Sequence, residues 1–166
     1  LVAQTWIGMA LQIFSQRHAS IAVEIEEFKW WELHGCVHSG NFDLTIGEIG
    51  AAKLARDIVC APLPERPLMF VVRKGHRLTR QDTVTLADLT KHPNVGARLP
   101  ANRMPQLPKE SEMGRVSDDG QFFLPKIECA QLSTILDVVE GSDAFCMSLL
   151  PIVAERLQDG SLVKLP

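Results

Sequence analysis

The sequence lacks the concentrated features that identify membrane-spanning and secreted proteins. Its longest uncharged apolar run, Ala144 to Ala154, includes Ser148 and Pro151 and falls far short of the roughly 20 apolar residues that a transmembrane helix needs. No basic segment followed by an apolar one opens the chain, so we expect no signal peptide. The chain begins at Leu1 rather than at a methionine, and we therefore expect it to be a piece of a longer protein.

Motifs of catalysis and metal binding are missing too. There is no G-x-S-x-G elbow, no P-loop, no H-E-x-x-H and no G-x-G-x-x-G, and serine, histidine and aspartate without a defined arrangement do not make a triad. The histidines have no consistent partners, and we interpret each as a surface or turn residue rather than a metal ligand: His18, His34, His38, His76 and His92. We predict that the chain is not an enzyme and holds neither a metal nor a cofactor.

Cysteine is sparse as well. The four cysteines are Cys36, Cys60, Cys129 and Cys146. They lie far apart, without a C-x-x-C pair and without a histidine three or four residues away, which argues against a metal cluster. Two disulfides remain possible by number alone. We favour reduced and mostly buried thiols in a cytosolic protein, because a free cysteine behaves as a small apolar residue.

The overall composition is that of an ordinary folded protein. Apolar residues make up 46% and charged residues 22% of the 166 residues, which allows one substantial domain or two small lobes. The net charge is −3, and no basic block is longer than Arg73-Lys74. A DNA-binding module normally concentrates basic residues on one face, because phosphate neutralisation supplies much of its affinity. We therefore predict that this segment by itself is a poor nucleic-acid binder.

Helical and strand-like patterns alternate in the first part of the chain. We predict helices over residues 7–14 and 30–37, the second closed by Gly40, and strands at 21–25, 44–49 and 58–61. Pro62 to Pro67 contains three prolines. Since proline lacks the N–H that a central strand must donate, this segment predicts a stiff connector.

The alternation continues beyond the connector. We predict strands at 68–73, 95–99, 122–129, 144–148 and 162–165, and helices that begin near Thr85, Leu132 and Pro151. Thr85 and Asp88 form a capping-box-like pair, whereas residues 100–125 are rich in turn formers and are predicted to be irregular. Alternating strands and helices favour an α/β protein with mostly parallel sheets, because parallel strands need crossover connections that are usually helices.

The order of these segments resembles that of the effector-binding domains of LysR-type transcriptional regulators. Gly40 to Gly47 is similar to the family's G-x-x-D-x-x-I signature, and Lys74 to Leu78 is similar to its H-P-L turn, with Arg77 in place of proline. Further matches in the family's order are Phe14 to Ile25 with Ala19 for the usual proline, Thr85 to Leu89, Val138 to Pro151 with Asp143 for the second glycine, and Leu157 to Leu165. Their ordered spacing over nearly the whole chain makes the resemblance specific.

The resemblance implies the fold of type 2 periplasmic binding proteins, in which two Rossmann-like lobes are joined by a hinge and a ligand binds in the cleft between them. It places lobe I at residues 1–66, with 162–166 as a return crossover, and lobe II at residues 67–161. In the family a first strand precedes the position of Leu1 and further elements follow that of Pro166. DNA is bound only through a winged helix-turn-helix domain upstream.

The resemblance also selects candidate ligand-binding residues, because ligands of open α/β folds lie at strand ends and helix N-termini. The candidates are Leu1, Val2, Trp6, Lys29, Trp30, Glu48, Arg98, Leu99, Pro100, Gln131 and Ser148. Leu1 and Val2 stand where the family usually has serine or threonine, so we expect Trp6 to close an apolar pocket instead. A carboxylate at Glu48 would disfavour an anionic ligand unless Arg or Lys compensates its charge.

Several candidates also have an ordinary structural interpretation. Trp30 either walls the pocket or packs on a helix face, and Lys29 either attracts an anion or is solvated. Arg98 either pairs with a ligand carboxylate or lies solvated at the surface. Gln131 and Ser133 either bind ligand or cap the helix that follows them.

The function predicted from the resemblance is that of an inducer-binding module in a cytoplasmic bacterial regulator without membrane contact, associating as a homodimer or homotetramer. In such domains the helix from Ile7 would pack against the partner's helix from Leu132. The alternative is a solute-binding protein of a transporter, which has the same fold but is secreted. A Rossmann-like enzyme is a third possibility, which no motif supports. Tryptophan and leucine outnumber hydroxyls in the predicted cleft, so we expect a ligand with apolar bulk.

Overall fold

A computed structural model describes residues 3–29, 31–47, 58–103 and 107–166. The chain divides into two units, Leu1–Glu65 and Arg66–Pro166. The lobe limits expected from the family, with 162–166 assigned to the first lobe, stay a prediction. Within the described residues, no helix is long and apolar enough to cross a membrane.

The first unit contains both of the helices predicted for it. Helix α1 spans Ala3–Arg17 and helix α2 spans Leu33–Ser39. Gly40 ends α2 in the left-handed conformation, with a φ of 68°. Glycine is favoured there because it has no Cβ to clash with the carbonyl oxygen.

The strands predicted for the first unit are not formed within its described residues, 3–29, 31–47 and 58–65. Residues 21–25 are extended but lie outside any ladder, and Ile21, Val23 and Ile25 line an open groove of about 370 Å³ with Leu11 and Ser15 of α1. The alternation correctly predicted one apolar face. The alternation does not show whether a neighbouring strand is present to pair with the N–H and C=O groups of this segment. The predicted strand at 44–49 lies partly outside the described residues.

The central sheet of the second unit has one strand that runs against the others. Strand β1 (Leu68–Arg73) pairs antiparallel with β8 (Cys146–Leu149) on one side and with β9 (Leu162–Lys164) on the other. Strand β2 (Val95–Gly96) is parallel to β7 (Ile127–Glu128), and the parallel bridge between Asn94 and Phe145 aligns β2 with β8. Four strands of this sheet therefore run in the same direction, but five of the six ladders in the described residues are antiparallel, so the prediction of mostly parallel sheets is wrong. β1 differs because it follows the proline connector rather than a crossover helix.

A second, wholly antiparallel sheet corrects the prediction that residues 100–125 are irregular. Its order is β3 (Leu99–Pro100), β6 (Phe122–Pro125), β5 (Gly114–Val116) and β4 (Glu110–Ser111). A short 3₁₀ turn, Ala101–Arg103, follows β3. The predicted strands at 95–99 and 122–129 are each divided between the two sheets, because the chain leaves one sheet and enters the other.

Three helices complete the second unit. They are α3 (Leu86–Leu89), α4 (Leu132–Gly141) and α5 (Leu150–Gln158). The predicted capping box of Thr85 and Asp88 is confirmed, as is proline in the first turn of α5. The apolar stripe predicted for α4 is buried with Val71 and Cys146 in one core. A second core holds Val72 and Phe145 on the opposite face of the sheet, since successive side chains of a strand point to opposite faces.

Candidate ligand site

Four of the predicted ligand-binding residues lie outside the described residues: Leu1, Val2, Trp30 and Glu48. Trp6 lies in α1. The apolar wall predicted from Trp6 and Trp30, and the effect predicted for the Glu48 carboxylate, stay predictions. The candidates that the structure describes are Lys29 in the first unit and Arg98, Leu99, Pro100, Gln131 and Ser148 in the second.

Lys29 lies at the start of the turn that leads into α2. Its backbone N–H donates to Glu32 Oε2 at 3.1 Å, and its Nζ lies 5.4 Å from the centroid of the Trp31 ring. An ammonium group over an indole face is attracted by the negative face of the ring. The exposed Lys29 charge is thus placed beside an aromatic surface, an arrangement that suits an anion with an apolar body. Trp31 was not among the residues predicted from the sequence, which included Trp30 instead.

Arg98 lies between a carboxylate and an aromatic ring. Its Nη2 and Nε lie 2.7 and 2.8 Å from Glu128 Oε1, and its Cζ lies 5.8 Å from the Phe122 ring. Arg98 thus lies partly exposed in an ion pair with Glu128, and its role in ligand binding stays a prediction. A ligand carboxylate would have to compete with Glu128. Glu128 was not among the residues predicted from the sequence, and it reaches this position because β7 pairs with β2 so that Glu128 lies beside Gly96.

Leu99 and Pro100 extend the same surface as apolar neighbours. Both are half-buried, and they form β3, in register with Phe123 and Phe122. A two-residue strand contributes little stability alone. The pairing with β6 holds Arg98 and these two residues in one line beside the aromatic rings.

Gln131 precedes α4 but does not cap it. Its backbone is extended at the N-cap position, its side chain makes no capping hydrogen bond, and its Oε1 accepts from Thr134 Oγ1 at 3.4 Å. The capping interpretation is therefore wrong for Gln131. The first turn of α4 also contains no acidic residue, so its N–H groups and the positive end of the helix dipole receive no compensation from such side chains.

Ser148 is the most unusual of the candidates. It lies in β8 opposite Met69 and is only 3% exposed, and its Oγ has no hydrogen-bond partner within the described part of the chain. Buried hydroxyls in folded proteins almost always have a partner, since leaving one unpaired costs about 1–3 kcal/mol. The hydroxyl of Ser148 is thus a buried polar group that the described residues leave without a hydrogen-bond partner.

The predictions about histidine need one correction. His18 and His38 are exposed as predicted, and the side chain of His34 lies outside the described residues. His76 and His92 are buried, at 0% and 3% exposure. Within the described residues, no group of three potential ligands could hold a metal.

The predictions about cysteine need a correction as well. All four thiols are free, but only Cys146 is buried. Cys60 lies exposed just before the proline connector, and Cys36 and Cys129 are half-buried. Burial raises the pKa of the Cys146 thiol to about 12, because the thiolate would lose its hydration.

Solved structures of LysR-family regulators share this fold. The regulatory domain of MetR from N. meningitidis superimposes with a TM-score of 0.67 over 96% of this chain and 71% of that chain, at 17% identity. HinK from Pseudomonas aeruginosa gives a TM-score of 0.63 over 99% of this chain and 55% of that chain, at 22% identity. The predicted fold class, the two-lobed α/β fold of LysR effector domains, is confirmed.

Sequence comparison leads to the same family. The SDS degradation transcriptional activation protein of Pseudomonas sp. (strain ATCC 19151) is 27% identical over 161 residues, which are 96% of this chain. The chain spans 50% of that relative's length. The family described as the LysR substrate binding domain matches residues 1–166. This chain therefore belongs to the family of LysR substrate-binding domains.

Proposed function

We propose that this chain is the ligand-sensing part of a cytoplasmic bacterial transcription regulator, with DNA bound by a winged helix-turn-helix domain elsewhere in the protein. A small-molecule inducer binds in the cleft that the family predicts between residues 1–66 and 67–161. It acts by binding and not by catalysis. A ligand that prefers one arrangement of the regulator shifts the population toward it by its difference in affinity for the two states.

The unpaired hydroxyl of Ser148 is the observation that carries this proposal. A buried hydroxyl without a partner destabilises the empty domain, and a ligand group that hydrogen-bonds to it removes that cost on binding. The uncapped first turn of α4 supplies N–H donors of the kind that bind anions. Arg98 adds a cation, and Leu99 and Pro100 add apolar surface.

These groups favour an amphiphile, with an apolar chain and an anionic or hydroxylic head, as the class of inducer. The name of the Pseudomonas relative supports the same class, because SDS consists of an alkyl chain and a sulfate. Lys29 beside Trp31 repeats the combination of a cation and an apolar surface in the first unit.

Binding is tested with alkyl sulfates, alkyl carboxylates and alkyl alcohols of increasing chain length, each below its micelle concentration. Native mass spectrometry gives the stoichiometry, and isothermal titration calorimetry gives the affinity. We expect one head-group class to bind at one molecule per chain, and Ser148→Ala to weaken it about tenfold, which corresponds to 1.4 kcal/mol.

The matched control is Ser20→Ala, which removes an exposed hydroxyl from the turn after α1 and should leave the affinity unchanged. If no amphiphile binds the chain, or if Ser148→Ala binds as tightly as the unmodified chain, the proposed site is wrong.

We further propose that the domain associates as a homodimer or homotetramer through α1. Met9 and Ile13 of α1 are 66% and 47% exposed, and Ile21, Val23 and Ile25 beside the helix are each about half exposed. A continuous apolar surface of this kind is typical of protein interfaces. The expected occupant is α4 of a second copy.

A further inference from the structure

Two histidines with rings in tilted contact lie inside the second unit and share no residue with the candidate ligand site. His76 precedes the 3₁₀ turn Arg77–Arg80, and His92 follows α3. Their ring centroids are 4.6 Å apart with an interplanar angle of 57°. Both side chains are buried, at 0% and 3% exposure. We refer to His76 and His92 as the histidine pair.

The hydrogen bonds of His76 allow one neutral form only. The backbone N–H of Leu78 donates to Nδ1 at 3.2 Å, so Nδ1 must carry a lone pair. Nε2 lies 3.2 Å from the carbonyl oxygen of Asp143, which can only accept, so Nε2 carries the proton. A second proton on this ring would displace the Leu78 N–H, and that bond caps the 3₁₀ turn.

The hydrogen bond of His92 also requires a neutral ring. The Nε–H of Arg77 donates to His92 Nε2 at 3.0 Å. A guanidinium group has no acceptor, so Nε2 must be unprotonated and the ring proton lies on Nδ1. Protonation at Nε2 would replace this hydrogen bond with two cations in contact.

The charges around the histidine pair come from each neighbouring segment. Arg73 of β1 and Arg77 of the 3₁₀ turn oppose a further positive charge, and Asp143, in the loop before β8, favours one. The Asp143 carboxylate is already bound to Arg73 Nη2 at 2.6 Å. From α3, Asp88 is bound to Thr85 and Lys91. Asp143 therefore offsets only part of the opposing effects of burial and of the neighbouring positive charges.

The pKa of each ring is lowered from the ordinary histidine value. Burial is the main cause for both, because it removes water from the imidazolium form. For His92, the neighbouring His76 and Arg77 lower the pKa further. Two independent features, the direction of the hydrogen bonds and the burial, therefore favour the neutral rings.

We propose that the histidine pair is a proton-sensitive clamp that joins the 3₁₀ turn to the segment entering β2 and to the loop before β8. With both rings neutral, the pair accepts from Leu78 and Arg77 and donates to Asp143. Protonation of either ring breaks one of these bonds and adds a buried cation next to Arg77. Asn94 lies two residues after His92, and its Nδ2 donates to the Phe145 carbonyl at 3.1 Å. We therefore expect that loss of the hydrogen bonds of the histidine pair also weakens this contact inside the sheet.

The sign of the effect follows from linkage. A histidine whose pKa is lowered by folding binds fewer protons in the folded state than in the unfolded state. Its contribution to stability is therefore complete above the unfolded value of 6.5 and is lost as the pH falls through that value toward the lowered one. The aspartates with lowered pKa, such as Asp143, act in a separate window that begins near 3.8.

The first test observes the two rings in the ¹⁵N-labelled full chain by long-range ¹H–¹⁵N correlation. We expect the Nε2–H form for His76 and the Nδ1–H form for His92, and both should stay neutral at about pH 6, where a histidine with the ordinary value is mostly protonated. A doubly protonated ring at about pH 7.5 would overturn the proposal. So would the opposite form of either ring.

The second test measures the clamp itself by hydrogen exchange of the Leu78 amide, corrected for the intrinsic rate at each pH. Protection should fall at least tenfold between about pH 7.5 and pH 5. In the double variant H76N/H92Q, both side chains can still accept from Leu78 and Arg77 but do not titrate, so protection should no longer depend on pH. His38→Gln, at an exposed position, is the control and should keep the original dependence.

Urea unfolding completes the test. All three tryptophans, Trp6, Trp30 and Trp31, lie in the first unit, so their fluorescence reports that unit, while the amide signals of Val71 and Cys146 report the second. We expect the midpoint of the second unit to fall with acidification and that of the tryptophan signal to change less. The proposal is wrong if the protection of the Leu78 amide in the unmodified chain does not change with pH. It is also wrong if the double variant loses protection on acidification as the unmodified chain does.

Discussion

Arg98 Nη2 lies 2.7 Å from Glu128 Oε1, and this ion pair joins the segment between β2 and β3 to strand β7. The two side chains are 33% and 39% exposed, so the pair adds only about 0–1 kcal/mol to stability. Its importance is chemical. In the proposed site, Glu128 would neutralise the cation that meets an anionic inducer, and we expect it to lower the affinity for anions.

Glu128→Gln should therefore strengthen the binding of an anionic amphiphile. The side-chain amide introduced by this substitution can still accept a hydrogen bond from Arg98 but removes the carboxylate charge beside the guanidinium. We expect the dissociation constant to fall about tenfold, measured by calorimetry at low salt. Glu112→Gln is the control, because it removes the same charge from a more exposed pair, that of Glu112 with Lys126 at 3.7 Å. Equal effects of the two substitutions would mean that only net charge matters.

Ser148→Ala should stabilise the empty chain although it weakens binding. The substitution removes a buried hydroxyl that has no partner in the described part of the chain, so the thermal midpoint should rise by the equivalent of about 1 kcal/mol. Differential scanning calorimetry without and with the inducer separates the two effects. A lowered midpoint without inducer would show that the hydroxyl is already satisfied.

Gly114→Ala should strongly destabilise the antiparallel sheet. Gly114 has a φ of 150°, and a Cβ at this position would collide with the carbonyl oxygen of Leu124, a backbone atom that cannot easily move. We expect a loss of about 3 kcal/mol in the free energy of unfolding. The control is Gly141→Ala, at the end of α4, where nothing lies within 4 Å of an added Cβ. Chemical denaturation followed by circular dichroism measures both.

Ile13→Glu should disrupt self-association without unfolding α1. Ile13 is 47% exposed, so a charge there is tolerated in the isolated domain but must be desolvated in an interface. Sedimentation velocity should show a shift to the monomer. Gln16→Glu adds the same charge at an exposed polar position of α1 and should leave the assembly intact. A monomer for the unmodified chain at all concentrations would refute the interface.

The thiols should react in the order of their exposure. Cys60 is exposed, whereas Cys146 is buried with a pKa of about 12, and only the thiolate is nucleophilic. Mass spectrometry after timed treatment with N-ethylmaleimide should find Cys60 modified first and Cys146 protected until the chain unfolds. Early modification of Cys146 would require the second unit to open locally.

Local signals in the sequence predicted local structure well. The Thr85–Asp88 capping box, the stripe of α4 and the end of α2 at Gly40 depend on neighbours within a few residues, and each is confirmed. The family resemblance supplied the fold class. The prediction of mostly parallel sheets failed, because β1 pairs antiparallel with strands from the far end of the chain and β3 to β6 form an antiparallel sheet of their own.

Features that depend on long-range pairing could not be predicted. The contact of Arg98 with Glu128 results from the pairing of β7 with β2, and the burial of His76 and His92 and the unpaired state of the Ser148 hydroxyl depend on residues that are distant in the sequence. Residues 100–125 contain many turn formers, and their short strands show no alternation of apolar and polar residues in the sequence. Only the register of β5 against β6 shows why Gly114 is required.

The position of β1 has a mechanical consequence. The strand follows directly after the proline connector and is hydrogen-bonded along both sides, to β8 and β9. A force applied through the connector would load these two ladders in shear at the same time, and the hydrogen bonds would resist together rather than open one after another. The connector is thus anchored in the interior of the sheet, and the second unit should transmit such a force as one rigid block.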